Sequence, residues 1–174
     1  KESRRKAAYH EAGHALLAAR LLGPQAIQKV TLEADHPDVE GMVSIHSYVT
    51  EGATRATLLH MIQIALAGRV AEEMIFHEQD IGAKNDLDLA NDMARMMVEE
   101  MGMSERFGPR VYRTSQGKEI AVGGLTRELI DKGLAAGTGR HVAAIEQEVS
   151  VFAQAGPPAR QFGGAALKCL VVND

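Results

Sequence analysis

The sequence predicts a mainly α-helical domain carrying one small β-hairpin, and three observations predict it. Apolar residues recur at three- and four-residue spacing in long stretches, as in Leu58, Met61, Ile62, Ala65, Leu66, Val70 and Met74, the stripe of a helix with one buried face. Two short segments, residues 27–33 and 41–49, alternate apolar and polar residues instead, the pattern of half-buried strands. Finally, His10-Glu11-Ala12-Gly13-His14 lies within a run of strong helix formers. That places His-Glu-x-x-His on a helix, as in a zincin-type metallopeptidase domain. A chain of 174 residues fits a single domain over residues 1–174, with a core that needs no staples.

Ser3 can cap a first helix running to about Leu22, with Gly23-Pro24 as its stop. The first strand follows over residues 27–33, and the acidic, proline-containing residues 34–40 read as a turn. In the second strand Val43 and Ile45 share one face, while Ser44 and His46 point the other way. Residues 54–76 form a long helix. Gly68 within it costs about 1 kcal/mol relative to alanine, which signals close helix–helix approach.

Glu72 and Glu73, near the end of that helix, could supply a metal ligand, but they read more simply as a charged face near a helix terminus. The loop 81–87 turns into a helix over about residues 86–101, with Asp86 and Asp88 in its first turn, where the helix dipole favours carboxylates. Met93, Met97 and Met101 are spaced by four with Met96 close by, an adaptable core stripe. Residues 103–109 read as loop, 118–122 as a short strand, and 126–134 and 140–154 as helices. Gly156-Pro157-Pro158 breaks the last of these, and the residues beyond it show no periodicity.

The spacing of the histidine motif has a mechanical meaning. Residues four apart on a helix lie one above the other, so His10 and His14 can offer two imidazoles to one ion. Neutral imidazoles suit zinc. Glu11, one position after the first histidine, can reach a water beside the ion without binding the metal, the usual general base of zinc-dependent peptide hydrolysis. His36, His46, His60 and His77 have no partner at ligand spacing and read as surface or hairpin residues. Two histidines leave such a site one protein ligand short of the usual three, and spacing alone does not choose the third.

Composition excludes other classes. A net charge of −4, no tryptophan and 4% aromatic residues leave no basic, base-stacking footprint for nucleic acid. The single cysteine, Cys169, excludes an internal disulfide and fits a reducing compartment. No apolar run approaches the roughly 20 residues that span a bilayer, so the domain itself reads as soluble. The chain opens on Lys1 and enters the histidine helix almost at once. That reads as a domain cut from a longer polypeptide, whose other parts could include a membrane anchor or a motor.

Residues 7–15, Ala-Ala-Tyr-His-Glu-Ala-Gly-His-Ala, resemble the zinc helix of the FtsH family of membrane-anchored, ATP-dependent zinc metalloproteases. Three further stretches agree in order. Gly68-Arg69-Val70-Ala71-Glu72-Glu73 is similar to the family's Gly-Arg-x-Ala-Glu-Glu helix. Gly82-Ala83-Lys84-Asn85-Asp86-Leu87 is similar to its Gly-Ala-x-Asn-Asp-Leu segment, and residues 94–105 resemble the helix and exit loop that follow.

The resemblance covers residues 5–109 and implies zinc ligands His10, His14 and Asp86, with Glu11 as catalytic base in promoted-water hydrolysis. It implies that Met42, Val43, Ser44, Ile45 and His46 form an edge strand that pairs with extended polypeptide substrate. It also implies a homo-oligomer, a hexamer, and an AAA ATPase module elsewhere in a membrane-anchored parent facing the cytoplasm or an organelle interior. ATP would act only through that module, which lies outside this sequence. The sequence also admits two other readings: a non-catalytic assembly module with structural zinc, and a stand-alone soluble metallopeptidase.

Overall fold

A first helix, α1 (Glu2–Leu22), runs for 21 residues of sequence without proline or a β-branched side chain, a composition that loses little rotamer freedom in a helix. The computed structural model that shows it describes residues 2–32, 41–45, 52–78, 81–105, 107–114, 116, 120 and 123–134. The helix is under way at Glu2, so Ser3 lies inside its first turn rather than at the expected cap. Glu2 is the acidic residue at the positive end of the helix dipole. Gly23, at φ 91°, ends the helix and leads into a single 3₁₀ turn, Pro24–Ala26.

Strand β1 (Ile27–Thr31) pairs antiparallel with β2 (Met42–Ile45), placing Thr31 opposite Met42, Val30 opposite Val43 and Ile27 opposite Ile45. An irregularity between Ile27 and Lys29 shifts the register. The expected hairpin is present, and the turn and distal ends predicted at 33–40 and 46–49 lie outside the described residues.

Helix α2 (Arg55–Phe76) is capped at Thr54, whose Oγ1 accepts the Thr57 N–H at 3.2 Å. It ends where His77 enters the left-handed region at φ 56° and donates its N–H to the Glu73 carbonyl. The predicted apolar stripe is the packed one: Leu58, Ile62, Ala65, Leu66 and Val70 join Leu17 and Ala18 of α1 in the core. The two helices come unusually close, because a Cβ at Gly13 would lie 2.5 Å from the Ala67 carbonyl oxygen and 2.9 Å from the Ala71 Cβ.

After a 3₁₀ turn at Ile81–Ala83, α3 (Lys84–Arg95) packs against α2 and gives Ala90 and Met93 to the core. Its last turn widens into a π-helical turn, Met96–Glu100. This is a departure from the uniform helix expected over residues 86–101. Met93 and Met97 are buried as the stripe predicted, but Met101 is 46% exposed.

The wide turn accompanies an inward-facing Glu99, which is fully buried. The carbonyl of Glu99 accepts the N–H groups of Tyr112 and Arg113 at 2.6 and 2.9 Å. Its carboxylate meets Arg95 Nη1 at 3.1 Å, Arg127 Nη1 at 2.9 Å and Arg113 Nη2 at 3.3 Å. One buried carboxylate thus ties α3 to the segment 107–114 and to a fourth helix, α4 (124–134), which also buries Ile130. The helix expected at 126–134 is therefore present. The predicted helix 140–154 and the tail 156–174 lie outside the described residues, as does the 118–122 strand apart from Ile120. Among the described residues no helix is long and apolar enough to cross a membrane.

Candidate metal centre

Four-residue spacing on α1 stacks the two imidazoles as anticipated. The rings of His10 and His14 sit edge to face with centroids 4.6 Å apart, and their Nε2 atoms are 2.9 Å apart. Asp86, in the first turn of α3, brings Oδ2 to 3.0 Å from His10 Nε2 and 3.4 Å from His14 Nε2. One donor atom from each residue falls within a 4.8 Å cluster. It is the single such group of histidine, cysteine and carboxylate side chains among the described residues. Two nitrogens and one carboxylate oxygen match the donor set of a three-ligand zinc site.

The opposite edge of each ring shows why the Nε2 atoms converge. His14 Nδ1 is 2.6 Å from the Ile64 carbonyl oxygen. A carbonyl can only accept, so that nitrogen carries the proton and Nε2 keeps the lone pair that would bind a cation. His10 Nδ1 lies 2.6 Å from Glu72 Oε1, the carboxylate–histidine arrangement that fixes ring orientation and raises the basicity of the far nitrogen. Glu72 is 6% exposed. The charged-face reading therefore holds for exposed Glu73 and fails for Glu72, which orients a histidine. A signal for this was present in the sequence: Glu72 lies four residues beyond Gly68 and shares its helical face.

Gly68 is the floor of the cluster. A Cβ there would lie 2.5 Å from His14 Nε2 and 2.6 Å from His10 Nε2, so the close approach expected at this glycine is to the two imidazoles. Tyr9 and Phe76 close the neighbouring face with an edge-to-face contact at 5.5 Å.

Charge is concentrated here. His10 is pushed up to about 9: burial works against its charged form, but the hydrogen bond and charge of Asp86 and the charges of Glu72 and Glu11 prevail. Asp86 is held well below the usual carboxylate range, because burial is outweighed by its hydrogen bonds to His10 and His14 and by their charges. Glu11 moves the other way. Burial pushes its carboxyl up, against the lowering charges of His14 and His10 and the backbone N–H of Val43.

Glu11 is 8% exposed and does not join the ligand cluster. Its carboxylate reaches from α1 to the start of β2. Of the expected substrate strand, residues 42–45 form β2, which pairs with β1 on one side in a sheet of two strands among the described residues, with Met42 exposed and Val43, Ser44 and Ile45 half-buried. His46 lies outside the described residues, as does His36. His60 and His77 stand apart from the metal-capable group.

A mainly helical fold with a histidine–carboxylate cluster and a buried glutamate beside it is the setting of a metalloprotease hydrolase. Residues 1–154 match the model of Peptidase family M41, and the chain belongs to that family. The resemblance drawn from the motifs holds in its relatives, which carry the name "ATP-dependent zinc metalloprotease FtsH". The protein of that name from Pelodictyon phaeoclathratiforme is 41% identical over 124 residues, covering 70% of this chain and 18% of the relative. That of Syntrophobacter fumaroxidans is 44% identical over 108 residues, covering 60% and 16%. The Bacillus subtilis protein is 38% identical over 122 residues, covering 70% and 19%. The chain thus spans less than a fifth of the length of these curated relatives.

Proposed function

We propose that this chain is the zinc-dependent endopeptidase domain of an ATP-dependent protease. The observation that carries the reading is the meeting of His10 Nε2, His14 Nε2 and Asp86 Oδ2 within one 4.8 Å cluster, beside a buried Glu11 that stays out of it. His10, His14 and Asp86 would hold the metal. Zinc, when bound, supplies Lewis acidity: it polarises the scissile carbonyl and makes water a nucleophile near neutral pH.

The remaining work belongs to the chain. Glu11 takes the proton of the attacking water and later gives it to the leaving amine, general base and then general acid. Burial suits it to the first step, because a carboxylate with a raised pKa is a stronger base toward the proton of the attacking water. Glu72 and the Ile64 carbonyl hold the imidazoles in the tautomers that face the metal. The outer edge of β2 would pair with extended substrate through its backbone, which accounts for tolerance of many sequences.

The relatives' names add ATP dependence in a longer protein, and the family resemblance extends the proposal further. There an ATPase module would deliver unfolded or membrane polypeptides to this site, in a membrane-anchored hexamer. A casein-cleavage assay of the protein with and without a zinc chelator tests the core of the reading. Cleavage should disappear with the chelator and return with added zinc, and chelator-insensitive cleavage would contradict it.

A further inference from the structure

Gly41, the residue before β2, has no side chain for a reason that its backbone does not supply. It is not among the glycines with a positive φ, which are Gly23, Gly52, Gly102 and Gly108 among the described residues. An L-residue could therefore adopt its conformation. What forbids one is space: a Cβ at Gly41 would lie 2.6 Å from Glu11 Cγ, 3.0 Å from Glu11 Oε1 and 3.1 Å from Glu11 Cδ.

The crowded atoms are not only the far end of a flexible chain. Cγ sits one bond beyond Cβ, so relieving the contact requires a change of χ1 or a shift of the strand. On a helix the choice of χ1 is narrow. Glu11 is buried, and two residues further on the Val43 N–H donates to its carboxylate. The opening of β2 thus surrounds Glu11, with a backbone donor on one side and an absent side chain on the other.

We propose that Gly41 is a positioning residue, leaving empty the volume in which the Glu11 side chain is held against the start of β2. A methyl group there displaces the carboxylate while leaving His10, His14 and Asp86 in place. Gly41 thereby acts on the chemical step through Glu11, not on the metal and not on the outer edge of β2. The proposal rests on the reading of Glu11 as the base.

Its test is a set of variants of the zinc-loaded protein: Gly41→Ala, Glu11→Ala, the double variant and Glu11→Gln. Gly41→Ala should bind zinc to the same stoichiometry as the parent and lower kcat at least about tenfold with little change in KM, the signature of a misplaced catalytic group. Any loss of Tm that it causes should vanish in the Glu11→Ala background, where the crowded side chain is gone. If Gly41→Ala does not fold, folding of the double variant carries the same result. Parental kcat in Gly41→Ala, an equal Tm loss in both backgrounds, or a double variant that also fails to fold would overturn the role of Gly41. Retained activity in Glu11→Gln would instead overturn the underlying reading of the base, so the two failures are distinguishable.

Discussion

His10 Nδ1 lies 2.6 Å from Glu72 Oε1, joining residues 62 positions apart in the chain. The contact makes α2 part of the proposed metal site as well as its support. Replacing Glu72 by glutamine keeps the size and removes the charge that fixes the imidazole. Loss of such a partner typically costs 10–100-fold in metal affinity or activity. Glu72→Gln should therefore bind zinc about 10- to 100-fold more weakly in a chelator competition, with helical content unchanged. Unaltered affinity would show that the contact does not orient the ring.

Two glycines set how closely α1 and α2 approach, and their substitution should separate stability from metal binding. Gly68→Ala places a methyl group against both Nε2 atoms and should strip zinc from a folded protein, as read by metal analysis. Gly13→Ala meets the Ala67 carbonyl oxygen and the Ala71 side chain instead. It should lower stability by about 1–3 kcal/mol, the usual range for overpacking, as read by denaturant unfolding. Zinc retention in Gly68→Ala at parental affinity would contradict the placement of the imidazoles.

Gly68 and the histidines show what the sequence made legible. His10 and His14 were readable because helical periodicity alone stacks residues four apart. The stripe of α2 and the hairpin were readable for the same local reason. Gly68 announced a close approach, but not that its neighbours would be the imidazoles. Asp86 was not legible from spacing, since a carboxylate in a first turn serves the helix dipole equally well, and only the family resemblance pointed to its place beside the imidazoles. Glu72 was misread because two adjacent glutamates look alike until tertiary packing buries one and exposes the other. Nothing in local sequence marked Gly41, whose meaning depends on a side chain thirty positions earlier in the chain.

Glu99 was also hidden, and it yields a prediction away from the site. Its carboxylate is fully buried among Arg95, Arg113 and Arg127, whose side chains are 26–40% exposed. Removing one partner of a buried pair costs about 3–5 kcal/mol. Partial solvation of the arginines discounts this, so Glu99→Ala should lose about 2–3 kcal/mol in urea unfolding. The folded fraction should still bind zinc, because Glu99 is not one of the metal-capable residues. A loss below about 0.5 kcal/mol, typical of an ordinary surface change, would show that the cluster does not hold α3 and α4 together.

Asp86 tests the third ligand. With His10 and His14 on α1 and Asp86 alone on α3, Asp86→Ala leaves two imidazoles, one protein ligand short of a catalytic site. The variant should lose bound zinc on dialysis together with casein cleavage. Full retention of both would move attention to Glu72, which already touches His10.

In the proposed mechanism Glu11 performs the proton transfer while other residues hold the metal. Zinc content and casein cleavage measured on the same preparation of Glu11→Gln test this division of labour. Glutamine keeps the shape of the side chain and cannot take up the proton. The variant should hold one zinc per chain, as in the parent, with cleavage reduced by about 10²–10⁴-fold or more, the contribution of a positioned acid–base group. Cleavage at the parental rate, with zinc bound, would contradict it.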